Sequence, residues 1–167
     1  MPIPVDVLIE KNIFLRKKIT MIQRIQSVYL LLSTILVGFL FALPIAEIAK
    51  DGAILVFNFK GILQDGVVKT SGIAVLISIC LAMVVHILAI FNYSNRKKQV
   101  QIVWGAMALL VLLLIEFVYF TYLSNSGAQI AFKMGAIFPL VAVILDYLAI
   151  RAINKDEALI RSIDRIR

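Results

Sequence analysis

The sequence predicts an all-α membrane protein: a bundle of four transmembrane helices with a small β-hairpin-like outer loop and a C-terminal amphipathic helix. Three observations predict it. The chain is 62% hydrophobic with a mean hydropathy of +0.98, above the roughly 45–50% apolar content of soluble domains. Four segments approach the roughly 20 apolar residues that a helix needs to cross a hydrocarbon core of about 30 Å. The basic residues gather between those segments rather than in a stripe among aromatics. The pI near 9.7 and net charge of +7 therefore report membrane topology, and no nucleic-acid partner is expected.

In chain order, Met1–Thr20 reads as an N-terminal extension. Either Met21 is the natural initiator and this stretch precedes it, or residues 13–19 form a short surface helix. "MIQRIQSVYLLL" (Met21–Leu32) then opens span one, Ser27–Ala46, with Arg24 and two glutamines at the membrane entrance and Tyr29 as an interfacial anchor. Spans two, three and four follow at Ser71–Phe91, Ile102–Tyr122 and about Met134–Ile150, the last interrupted by Asp146. Pro139 faces the carbonyl of Gly135 one turn back, which predicts a gentle bend in span four. Spans one and three share an entry pattern, a glutamine three residues before an aromatic (Gln26 and Tyr29, Gln101 and Trp104). A pair of hairpin repeats or a generic interfacial belt explains it.

Orientation follows from Lys and Arg. Thirteen of the seventeen lie before span one, between spans two and three, or in the tail after span four. Only Lys50, Lys60, Lys69 and Lys133 fall on the opposite side. Both termini are therefore expected in the cytoplasm. The outer loop, residues 47–70, holds two runs of strand formers, "AILVFNF" from Ala53 and "GILQDGVVK" from Gly61. Turn signals stand at Asp51-Gly52 and Asp65-Gly66, which predicts a hairpin. The second outer loop, Leu123–Lys133, reads as a short connection. In the tail, Asn154 and Glu157 make a capping-box variant. Leu159, Ile163 and Ile166 then line one face beside Arg161 and Arg165, a helix suited to anionic lipid or to a partner.

Two ends of the chain carry a resemblance. "MIQRIQSVYLLL" and "KDEALIRSIDRIR" (Lys155–Arg167) resemble the two ends of a small four-span bacterial family, domain of unknown function 4293, typical of the Bacteroidota. The likeness runs from Met21 to Arg167. It implies an inner-membrane location in a two-membrane bacterium, and it supplies neither an activity nor site residues.

Candidate chemistry rests on the ionisable residues inside spans, which are costly in lipid and face a protein interior or a watery cavity. These are His86, Glu116 and Asp146. His86 continues a stripe of small residues (Ala74, Ser78, Ala82), Glu116 returns to the face of Gly105, and Asp146 shares a face with Ala142. Depth along the helices allows His86 and Asp146 to pair near the cytoplasmic side and leaves Glu116 about 10–15 Å away. Asp146 can instead be satisfied by Arg151, and Glu116 by Tyr119 or Tyr122. A helix-packing stripe is read in span one at Thr34, Gly38, Ala42 and Ala46.

Three polar residues at two depths make no metal site, since zinc wants at least three clustered ligands. Cys80 stands alone. Haem-ligating His pairs, phosphate-cradling glycine loops and serine triads are missing from the sequence, so no cofactor and no enzyme activity are expected. Two functions follow. The first is a non-catalytic accessory subunit of a larger membrane complex, such as a protein-export or envelope-biogenesis machine, touching lipids and other integral membrane proteins. The second is a small transporter or lipid-handling protein using Glu116 and His86. No small-molecule substrate is identified.

Overall fold

The computed structural model describes the backbone of residues 25–50, 52–123 and 127–164, and side chains up to residue 158. The N-terminal extension, Met21, Arg24 and residues 124–126 of the second outer loop lie outside the described residues, as do Arg165 and Ile166 of the proposed surface helix.

Helix α1 (Ile25–Phe41) closes in a 3-10 turn at Phe39–Phe41. At about 1.5 Å per residue its described part extends some 25 Å. Pro44 follows, and the backbone then turns into strand β1 (Ala46–Lys50). Of the residues expected to complete span one, 42–45 therefore form a turn and Ala46 opens a sheet. Strands β2 (Ala53–Asn58), β3 (Gly61–Gln64) and β4 (Val67–Ser71) follow as tight antiparallel hairpins. Asp65 and Gly66, both at positive φ, make the two-residue turn between β3 and β4.

Helix α2 (Ile73–Phe91) leads through a short loop to α3 (Arg96–Val118), whose first turn is capped by Asn95 accepting from the Lys98 amide. A π-helical turn, Tyr119–Leu123, ends α3. Strand β5 (Gln129–Phe132) and a 3-10 turn (Met134–Ala136) precede α4 (Ile137–Asp164).

The fold class differs from the sequence expectation in two ways. Among the described residues, three helical stretches are long and apolar enough to cross a membrane, Ile73–Phe91, Arg96–Leu123 and Met134–Ala158, and the described part of α1 is a shorter apolar helix. The expected hairpin is a five-stranded antiparallel sheet in the order β4-β3-β2-β1-β5. Its penultimate strand β1 joins two distant segments, pairing Ala46 with Phe57 on one side and with Phe132 on the other. The sheet supplies the support that a lone hairpin in water lacks.

One face of the sheet is the floor of the bundle core. Ala46, Ile48, Phe57 and Ile62 pack with Val37 and Leu40 of α1, Val75 and Ile79 of α2, and Leu113 and Phe117 of α3. Phe57 stacks on Phe120 and meets Phe117 edge-on. Two backbone crossings admit no side chain. A Cβ on Gly61, which is at φ +115, would stand 2.1 Å from the Thr70 carbonyl oxygen. One on Gly135 would stand 2.6 Å from the Pro44 carbonyl oxygen. Gly135 thus serves the close approach of the α4 entry to Pro44, not a bend around Pro139. Pro139 itself sits buried in the first turn of α4, where its missing N–H has no helical partner to lose.

The packed face of α1 is also not the small-residue stripe. Gln26, Leu30, Ser33, Val37 and Leu40 are buried, alternating four and three residues apart. Thr34 and Gly38 are half-buried, Ala42 is exposed, and Ala46 lies in β1. Larger side chains fill the bundle, so the small residues fall to its flank. The tail expected to start a new helix at Asn154 is the continuation of α4, which carries Leu159, Arg161 and Ile163 on its last turns.

Candidate functional site

Polar side chains enter the bundle at three levels, separated by apolar layers. At the middle level α1, α2 and α4 meet. His86 and Asp146 are fully buried, and His86 Nε2 lies 3.1 and 3.0 Å from the two carboxylate oxygens of Asp146. His86 Nδ1 lies 2.7 Å from the Ala82 carbonyl oxygen. That carbonyl only accepts, so Nδ1 carries hydrogen. Ser33 Oγ lies 3.0 Å from Nε2 and donates to the Ala142 carbonyl at 3.4 Å, so its lone pair faces the imidazole. One proton is then shared between Nε2 and Asp146. Wherever it sits, the pair has no net charge, which suits an apolar interior.

The expected His86–Asp146 pairing is present, and Arg151 is exposed and uninvolved. The pair lies between the other two levels. It stands eight residues along α2 from Ser78 and ten along α4 from Asp156, about 12 and 15 Å, near the middle of the bundle. Chemically it is a clamp. Ser33 and Asp146 address the same ring nitrogen, whereas a serine activated by a charge-relay histidine needs them on opposite nitrogens.

At the level nearest the sheet, Ser78 Oγ donates to Glu116 Oε1 at 2.9 Å, while Glu116 Oε2 is buried and has no hydrogen-bond partner. Tyr119 and Tyr122, the expected partners of Glu116, are exposed. Gly105, expected on the Glu116 face, is exposed with open space around it.

At the level farthest from the sheet, Arg96 pairs with the buried Asp156, and Gln99 Nε2 donates to the Ala89 carbonyl at 3.0 Å. Gln26 Nε2, Gln99 Oε1 and Asp156 Oδ1 are buried without partners. The glutamine echo between spans is therefore displaced: Gln26 and Gln99 are buried, whereas Gln101 and Trp104 are exposed. Sequence reasoning missed Ser33, Gln99 and Asp156. The alternating four-and-three spacing from Gln26 to Leu40 was the signal for Ser33. Arg96 and Asp156, sixty residues apart, left none.

A further surface lies on the sheet face turned away from the core. Strand register places Glu47, Val56 and Leu63 in one row, with Ala131 and Val68 at its ends, and Gln129, Ala49 and Ile54 in the next. Ile54 and Val68 are 67% and 47% exposed. The charged member of these rows, Glu47, is neutralised by Lys133 at 2.8 Å. A water-facing sheet face ordinarily alternates to polar residues. This one is mostly apolar.

Among the described residues no group of three or more His, Cys, Asp or Glu is placed to hold a metal ion. Compared with known proteins, residues 22–166 match the family model described as a domain of unknown function, DUF4293, in agreement with the resemblance at the two ends of the chain. No curated protein and no solved structure matches.

Proposed function

The chain belongs to the DUF4293 family, a domain of unknown function, and from that premise we propose that it is a non-catalytic accessory subunit of a larger membrane complex. The observation that carries the reading is the apolar outer face of the five-stranded sheet, centred on Ile54, Val56, Leu63 and Val68. An exposed apolar patch of this kind marks a protein contact, and aliphatic side chains on a rigid sheet suit a partner that brings its own apolar face. The saturated middle level supports the same reading, because the His86–Asp146 clamp holds helices together and presents nothing to a substrate.

Location follows the charge asymmetry. We place the protein in a bacterial inner membrane, with the bundle end carrying Arg96, Lys97, Lys98, Arg151 and Lys155 toward the cytoplasm and the sheet on the outer side. The partner is then an envelope or membrane protein, as in an export or envelope-biogenesis machine. A photo-crosslinking residue at position 54, in cells of the native host, is expected to trap one defined protein. The same residue at exposed Leu112 on α3 is expected to trap lipid. A sheet probe that captures nothing specific would refute the docking role.

One observation favours a second reading, transport or lipid handling. Glu116 keeps a buried oxygen free. His86, the other residue assigned to it, is about 12 Å deeper and already fully engaged. That reading therefore rests on Glu116 alone, and loss of a transport or lipid-binding signal in Glu116→Gln would support it.

A further inference from the structure

Three carboxyl groups enter the bundle, and the fold treats them differently. Asp146 meets His86 and Asp156 meets Arg96. Glu116 meets only the Ser78 hydroxyl on Oε1, and its Oε2 is enclosed without a partner.

Among the described residues, the surroundings of Glu116 hold no cation to complete an ion pair. On α2, Cys80 is exposed, and His86, two turns deeper, is bound to Asp146. The outer halves of α1 and α4, residues 33–41 and 137–145, contain no charged or titratable residue. From the sheet, Phe57 and Ile62 face inward, while Glu47 and Lys133 pair with each other on the opposite face. Lys60 covers the Phe59 ring, Asp65 lies in a turn, Lys69 is exposed on an edge strand, and Lys50 ends β1 beside a turn. On α3 itself, Tyr119 and Tyr122 are exposed. Glu116 is half-buried with Oε2 enclosed, and enclosing a carboxylate oxygen without a counter-charge or a donor disfavours the ionised form.

We propose that Glu116 and Ser78 form a proton-binding site in the outer half of the bundle. Glu116 is a neutral carboxylic acid: Oε1 accepts from Ser78 and Oε2 carries the proton. Release yields a carboxylate and passes that proton to water at the outer end. The local backbone suits such exchange, since the π-helical turn Tyr119–Leu123 begins three residues on, and π-turns inside helices frequently accompany functional sites. The site is independent of the docking face and goes beyond it.

The test uses the full chain in mild detergent. Dicyclohexylcarbodiimide modifies protonated carboxyls in apolar surroundings and spares ionised ones. Peptide mass spectrometry is expected to find the adduct on Glu116, with a yield that falls several-fold as pH rises, and not on Asp146, Asp156 or exposed Glu47. Infrared spectra are expected to show a protonated-carboxyl C=O band that Glu116→Gln removes and Ser78→Ala shifts. Labelling of Asp146 equal to that of Glu116 would overturn the proposal. So would a chain with neither the Glu116 adduct nor the band.

Discussion

Asp146 and Glu116 are both carboxyls on bundle helices, yet one is enclosed by partners and the other is left incomplete. Asp146 shares a proton with His86, which is also held by Ser33 and Ala82. Glu116 has one hydroxyl and an idle oxygen. A neutral, fully bonded pair in a dry layer serves stability. A carboxyl with unused capacity serves stability poorly and leaves an oxygen able to carry a proton. The same contrast separates the two sheet faces, one completing the core and one apolar and uncovered.

The largest effect is expected where a complete set of bonds is broken from one side. Asp146→Leu strands the His86 imidazole and should destabilise the protein by about 3–5 kcal/mol, seen as collapse of the thermal transition in detergent. His86→Leu combined with Asp146→Leu should be milder than either change alone, because the buried pair is removed whole. If the double variant is instead the worst of the three, the clamp is not a pair.

Gly61→Ala comes next. A Cβ there meets the Thr70 carbonyl at 2.1 Å at φ +115, so backbone strain alone should cost about 1–3 kcal/mol, measurable as lower yield and a lower melting temperature. Ser33→Ala removes one hydroxyl from a pair that keeps its other partners, for a loss of about 1 kcal/mol. Ile54→Lys lies on the uncovered face and should change stability by no more than about 0.5 kcal/mol while abolishing partner capture. A large stability loss there would mean that the face is already packed.

Much of this contrast was legible in the sequence. Hydropathy located α2 and the apolar stretches of α3 and α4, and helical depth brought His86 to Asp146, because both follow from short-range periodicity. The sheet was only half visible. β2, β3 and β4 announce themselves through Asp-Gly turns and β-branched residues, whereas β1 is "AEIAK", an apolar-to-polar fade indistinguishable from the end of a span. β5 is the four-residue "QIAF", too short to show alternation, and it becomes a strand by pairing with β1 some eighty residues earlier. The small-residue stripe in α1 misled for a related reason. Small residues permit close packing but do not require it, and here Leu30, Val37 and Leu40 occupy the interface. The clamp's third member, Ser33, needed the packed face to be known first.

The measurement that bears most directly on function compares wild type with an Ile54→Lys and Val68→Lys double variant, each purified in mild detergent from the native host. The expected result is a stoichiometric partner with wild type and a folded chain without it for the variant, at an unchanged melting temperature. A variant that keeps the partner, or a wild type that always purifies alone, would contradict the assignment of recognition to the sheet's outer face.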